Sequence, residues 1–102
     1  LARRAKAMAG GDPAVADTLG WALVNAGNAK DIEEAVTLLR ASSKELRLPE
    51  GYYHYGIALK EAGKTSEALV ELRRAIHGPG TFKGLERAKQ VEAELTAGAP
   101  PR

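Results

Sequence analysis

Apolar residues recur along this chain at spacings of three and four, the period that lines one face of a helix. Val15, Leu19, Leu23 and Ala26 form one stripe, and Ile32, Ala35, Val36, Leu39 and Leu46 form a second. Tyr52, Tyr55, Leu59 and Ala62 make a third; Ala68, Leu69, Leu72 and Ile76 make a fourth. Gly27 and Gly63 stand where the first and third helices should stop, because glycine accepts the left-handed backbone of a helix end. Asp31 followed by Glu34 reads as an N-cap with its reciprocal glutamate, so the second helix is expected to start there. HGPGT, residues 77–81, breaks the chain again before a last amphipathic helix, expected over Lys83 to Thr96. Its apolar side carries Leu85, Ala88, Val91 and Leu95; Glu86, Arg87, Lys89, Glu92 and Glu94 lie opposite.

The stripes repeat. LGWALVNAGN, residues 19–28, is echoed by YGIALKEAGK, residues 55–64, with the same Gly, Ala, Leu, Ala and Gly in register. EEAVTLL, 33–39, is echoed by SEALVEL, 66–72, which sets Ala35 against Ala68 and Leu39 against Leu72. Pro13 and Pro49 open the two units at matching points. A period near 36 residues falls in the range of helical-hairpin repeats. The residues kept between units are small ones. Gly20 and Gly56 therefore read as points where a neighbouring helix presses on the backbone, with Ala35 and Ala68 doing the same from the partner helix. Packing of that kind must offset the ~1 kcal/mol that glycine costs inside a helix. Gly27 to Ala35 is eight residues where Gly63 to Ala68 is five, so a longer turn is expected in the first unit, through Asn28 to Lys30.

Composition narrows the chemistry. At 102 residues, with 44% hydrophobic and 27% charged residues, the chain is one domain or a piece of one. A net charge of +2 with dispersed basic residues argues against nucleic acid; the cluster Arg3, Arg4 and Lys6 reads as a solvated helix face. The absence of cysteine excludes disulfides, thiol catalysis and thiolate metal sites. No apolar run approaches the ~20 residues that span a bilayer, so direct membrane insertion is not expected.

In this pattern the chain resembles the tetratricopeptide repeat (TPR) family. The second unit carries the motif as Tyr52, Tyr55-Gly56, Leu59, Ala68, Leu72 and Ala75, with Pro79 one residue early; the first fits less well, with Ala16 where a large residue is usual, then Leu19-Gly20, Leu23, Ala35, Leu39 and Ser42. The resemblance implies an all-α helical-hairpin solenoid: the end of a preceding repeat helix over 1–10, TPR units over 13–48 and 49–82, a capping helix over 83–97, and a tail over 98–102. A narrower resemblance joins the chain to the C-terminal repeats of bacterial envelope and exopolysaccharide (exosortase-associated) TPR proteins. That likeness implies a periplasmic or envelope setting; otherwise the expectation is cytoplasmic.

The resemblance implies a protein–protein interaction scaffold that takes a peptide or partner protein in the concave groove lined by the first helices. The residues interleaved with the packing stripe there are Asp17, Trp21, Val24 and Asn25, then Tyr53, Ile57, Lys60 and Glu61. Trp21 and Tyr53 stand out, because aromatics off the core are enriched in binding hot spots; the alternative for Trp21 is packing beneath a preceding helix. TPR adaptors that clamp a chaperone's C-terminal carboxylate carry Lys and Asn at two groove positions, where Asp17 and Trp21 stand here; an acidic group would repel such a tail. The competing reading is a segment that positions substrate for a larger enzyme, such as a glycosyltransferase or sulfotransferase; a third is a module that stacks on itself.

No catalytic constellation is legible. His54 and His77, the two histidines, read as surface or half-packed residues, Glu33-Glu34 as a solvated helix start, and GGDP and GPG as loops without the residues of a phosphate cradle. The chain is accordingly expected to be no enzyme and to hold no metal or cofactor. The sequence opens inside what reads as a second helix, which should leave apolar surface around Val15, Leu19 and Leu23 and allow a homodimer through the N-terminal end.

Overall fold

A computed structural model describes residues 12–98, which form helices and connecting turns with no strand among them. In chain order these are α1 (Pro13–Ala26), α2 (Ala29–Leu46), α3 (Pro49–Glu61), α4 (Thr65–Ile76) and α5 (Leu85–Gly98). The all-α architecture expected from the periodicity is present. Segment 1–10, and with it the cluster Arg3, Arg4 and Lys6, lies outside the described residues, as does most of the 98–102 tail.

Local chemistry explains the boundaries. Pro13 and Pro49 sit in the first turns of α1 and α3, where a missing N–H costs nothing. Asp12 caps α1, its carboxylate accepting from the N–H groups of Ala14 at 3.0 Å and Val15 at 3.4 Å. Gly27 ends α1 in the left-handed conformation at φ 70°, and Gly63 follows α3 at φ 81°.

The first unit departs from expectation at its turn. Asn28, not Asp31, caps α2, accepting from the Lys30 N–H at 3.3 Å, and Asp31 lies in the helix's first turn. The inter-helix connection is therefore no longer than in the second unit. The three extra residues are spent inside α2, where they amount to nearly one turn. Asn28 is the earliest residue able to cap, and a helix started there satisfies backbone groups that a loop would leave to water. The last helix likewise starts at Leu85 rather than Lys83, because Gly84 at φ 105° cannot belong to it.

α1 packs against α2, and α3 against α4, as two helical hairpins; α2 and α3 join them, and α5 packs on α4 and α3. The paired glycines hold the hairpins closed. A Cβ on Gly20 would lie 2.6 Å from Leu39 Cγ, and one on Gly56 would lie 2.9 Å from Leu72 Cγ and Cδ2. Leu39, Leu72, Ala35 and Ala68 are all fully buried. The residue repeated between units is thus one half of a contact whose other half, the leucine, repeats as well.

α3 touches α1, α2, α4 and α5, and its buried residues run continuously from Tyr53 to Leu59. A helix so enclosed has no single apolar stripe. The stripe reading consequently misplaces two tyrosines: Tyr53 is core at 7% exposure, whereas Tyr52 is only half-buried. In α1 the stripe holds weakly, with Val15 at 38% exposure and Leu19 and Leu23 half-buried. Glu92, expected on the outer face of the last helix, instead turns to α4 and accepts from Arg73 Nε at 2.9 Å.

Glycine substitutions should separate close packing from helix propensity. Gly56→Ala should destabilise by about 1–3 kcal/mol through overpacking against Leu72. Gly51→Ala, whose Cβ would meet nothing closer than 4.0 Å, should be neutral or stabilising by up to ~1 kcal/mol from propensity alone. Urea midpoints measure both; equal losses would remove the packing explanation. Gly78 is no neutral comparison, since its Cβ would lie 2.9 Å from Pro49 Cγ.

Candidate functional site

Asp17 and Trp21 are one helical turn apart on α1 and so share a face. Both meet His54 of α3. The Asp17 carboxylate oxygens each lie 3.0 Å from His54 Nδ1. A carboxylate can only accept, so Nδ1 carries the proton and donates it. Trp21 stacks on the imidazole, with centroids 4.2 Å apart and planes 19° from parallel. Glu50, one turn earlier on α3, approaches Nε2 at 3.9 Å, too far for a hydrogen bond. His54 is only 7% exposed, so its polar edge is withdrawn from water and depends on Asp17. The histidine expected to be at the surface or half-packed is a buried tie between the two hairpins.

The ring cluster extends beyond it. Tyr53 lies 5.3 Å from Trp21 and 5.7 Å from Phe82, linking α1, α3 and the segment leading to α5. Gly84 closes against this cluster, since a Cβ there would lie 2.5 Å from Tyr53 Cε2. Burial raises the Tyr53 phenol above its ordinary range, with Arg87 opposing and Glu50 adding to the shift. No periodic pattern pointed to Phe82 or Gly84. The clue available in sequence was the Asp17/Trp21 pair at four-residue spacing, facing a lone histidine on the matching helix of the next unit.

The eight expected groove residues divide sharply. Val24, Tyr53 and Ile57 are buried at 7%, 7% and 4% exposure, so they support the face from beneath and offer a partner little surface. Asp17 and Trp21 are half-buried, engaged with His54 but reachable from one side. Asn25 and Glu61 are exposed, and Lys60 is half-buried with its ammonium 3.3 Å from Glu61 Oε2. α1 therefore offers an anchored indole and an exposed amide, and α3 offers a charged pair near its C-terminal end. Among the described residues no group of three or more potential ligands is placed to hold a metal, and no helix is long and apolar enough to cross a membrane.

Asp17→Ala should destabilise the fold by about 1–3 kcal/mol, because it leaves the buried His54 N–H without an acceptor. His54→Phe added to that variant should recover part of the loss, since it removes the orphaned donor as well. Denaturation midpoints of the two variants provide the check. An Asp17→Ala protein as stable as wild type would mean the tie contributes nothing.

Comparison with protein-family models, with curated proteins and with solved structures finds no match for this chain.

Proposed function

We propose that this chain is a binding segment of the TPR kind, a scaffold that takes a protein or peptide partner across the face of α1 and α3. Two observations on the fold support the repeat reading: the doubled glycine–leucine contact and the matching proline starts of α1 and α3. The observation that carries the functional reading is Trp21. Its indole is half-buried and stacked at 4.2 Å on a histidine that is itself fixed by Asp17. A large aromatic held rigid in this way loses little conformational entropy when a partner covers it, which is the property of a hot-spot anchor. Asn25, one turn further along α1, and the Lys60–Glu61 pair at the C-terminal end of α3 are polar groups suited to a solvated rim. His54, buried and bonded to Asp17, serves the structure rather than a reaction in this proposal.

Peptides selected against the wild-type chain from a random displayed library should compete with one another for a single face. Trp21→Ala should weaken them by about 2 kcal/mol or more, the loss usual for a hot-spot residue. Lys60→Glu should change binding of charged peptides with little effect on stability. Isothermal titration against both variants, with helicity checked by circular dichroism, measures this. Peptides that bind a folded Trp21→Ala protein as well as wild type would refute the assignment.

A further inference from the structure

On the other side of the hairpins the two second helices leave a cleft between them. Arg40, Lys44 and Arg47 come from α2 and its C-terminal cap, Arg74 and Glu71 from α4, and the intervening α3 contributes Tyr52 and Tyr55. The cleft encloses ≈ 590 Å³, within the range of about 300–1,000 Å³ that small-molecule sites occupy. Its lining holds four cations against one carboxylate, a surplus of three positive charges in one concavity.

All four cations reach solvent, and the tyrosines of the lining fix two of them. Arg40 Nε donates to Tyr55 Oη at 3.0 Å, which leaves the outer nitrogens of its guanidinium with donors to spare. Arg74 lies 5.4 Å over the Tyr52 ring and 3.7 Å from Glu71 Oε1. That carboxylate oxygen is itself buried without a hydrogen-bond partner. Burial raises the Glu71 carboxyl above its ordinary range, against the pull of Arg74. Among the described residues no carboxylate pairs with Lys44 or Arg47.

Arg47 supplies an independent observation. It ends α2 at φ 53°, and among the described residues it alone departs from glycine at positive φ. α1 ends in the same left-handed conformation with Gly27. Glycine adopts that backbone freely and arginine at a cost, so the fold alone is better served by glycine at position 47. What arginine adds there is a guanidinium on the cleft wall.

We propose that the cleft between α2 and α4 is a binding site for a small phosphate-bearing anion, held by Arg40, Lys44, Arg47 and Arg74. Planar guanidinium forks match the several oxygens of a phosphate, and a ligand with two or more charges answers the surplus of the lining. A recess between helices receives a free ligand better than it meets the flat surface of a membrane. The site is independent of the face across α1 and α3.

Inorganic pyrophosphate, titrated at constant ionic strength and followed by NMR of the arginine side chains and tyrosine rings, tests the site. Saturable shifts are expected at Arg40, Arg47, Arg74, Tyr52 and Tyr55. Arg47→Gly should be at least as stable as wild type yet bind about tenfold more weakly, the loss expected on removing one charge-assisted hydrogen-bonding group. Glu71→Gln should bind more tightly, since it removes the opposing charge. Shifts that never saturate, an Arg47→Gly protein that binds as wild type, or weaker binding by Glu71→Gln would each overturn the proposal. So would attachment to anionic phospholipid vesicles that pyrophosphate does not displace.

Discussion

A methyl group too many at Gly20 or Gly56 would collide with a leucine, and the rest of the structure depends on that collision being avoided. Each hairpin closes only because one helix presents bare backbone where the other presents Leu39 or Leu72. The leucines are fully buried as a result, and the alanines one turn earlier on the same helices, Ala35 and Ala68, are buried beside them. Glycine inside a helix carries a propensity cost of ~1 kcal/mol, so the contact must offset it, and it does so by burying a leucine side chain, a gain of about 1.5–3 kcal/mol. With both hairpins closed in the same way, α3 becomes the member that all four other helices touch.

That enclosure decides what the outer faces can do. Because α3 is covered by neighbours on several sides, its polar residue His54 has to be satisfied from within, and Asp17 of α1 does so across the hairpin boundary. The same tie fixes the Trp21 ring and leaves its outer side accessible. On the opposite side, α3 offers Tyr52 and Tyr55 to the space between α2 and α4, where they hold Arg74 and Arg40 in place. One helix therefore orients two surfaces of different character, an aromatic face and a basic cleft.

The sequence carried the elements well and the tertiary ties poorly, for physical reasons. Helix number, the proline starts and the Gly27 stop are local, set by backbone chemistry within a few residues. The glycine–leucine pairing was visible in part: the repeated glycines announced close approach, although the leucines rather than the alanines turned out to be what they accommodate. The start of α2 was misread because Asp31 with Glu34 has the same residues as a cap when it lies one turn inside a helix. Tyr52 and Tyr53 were exchanged because periodicity assumes one buried face, and α3 has more than one. The Asp17–His54 bond joins residues 37 positions apart, and a spacing of that kind leaves no periodic trace. The cleft is least legible of all, since Arg40, Lys44 and Arg74 are exposed residues of two helices that only the assembled fold brings to one concavity.

The two hairpins close through the same glycine–leucine contact, and nuclear Overhauser effects report that contact directly. Cross-peaks are expected between the Gly20 α-protons and the Leu39 methyls, and between the Gly56 α-protons and the Leu72 methyls, at comparable intensity in one folded sample. Strong helical amide patterns without either set of cross-peaks would contradict the account, because the helices would then exist without the packing that is held to pair them.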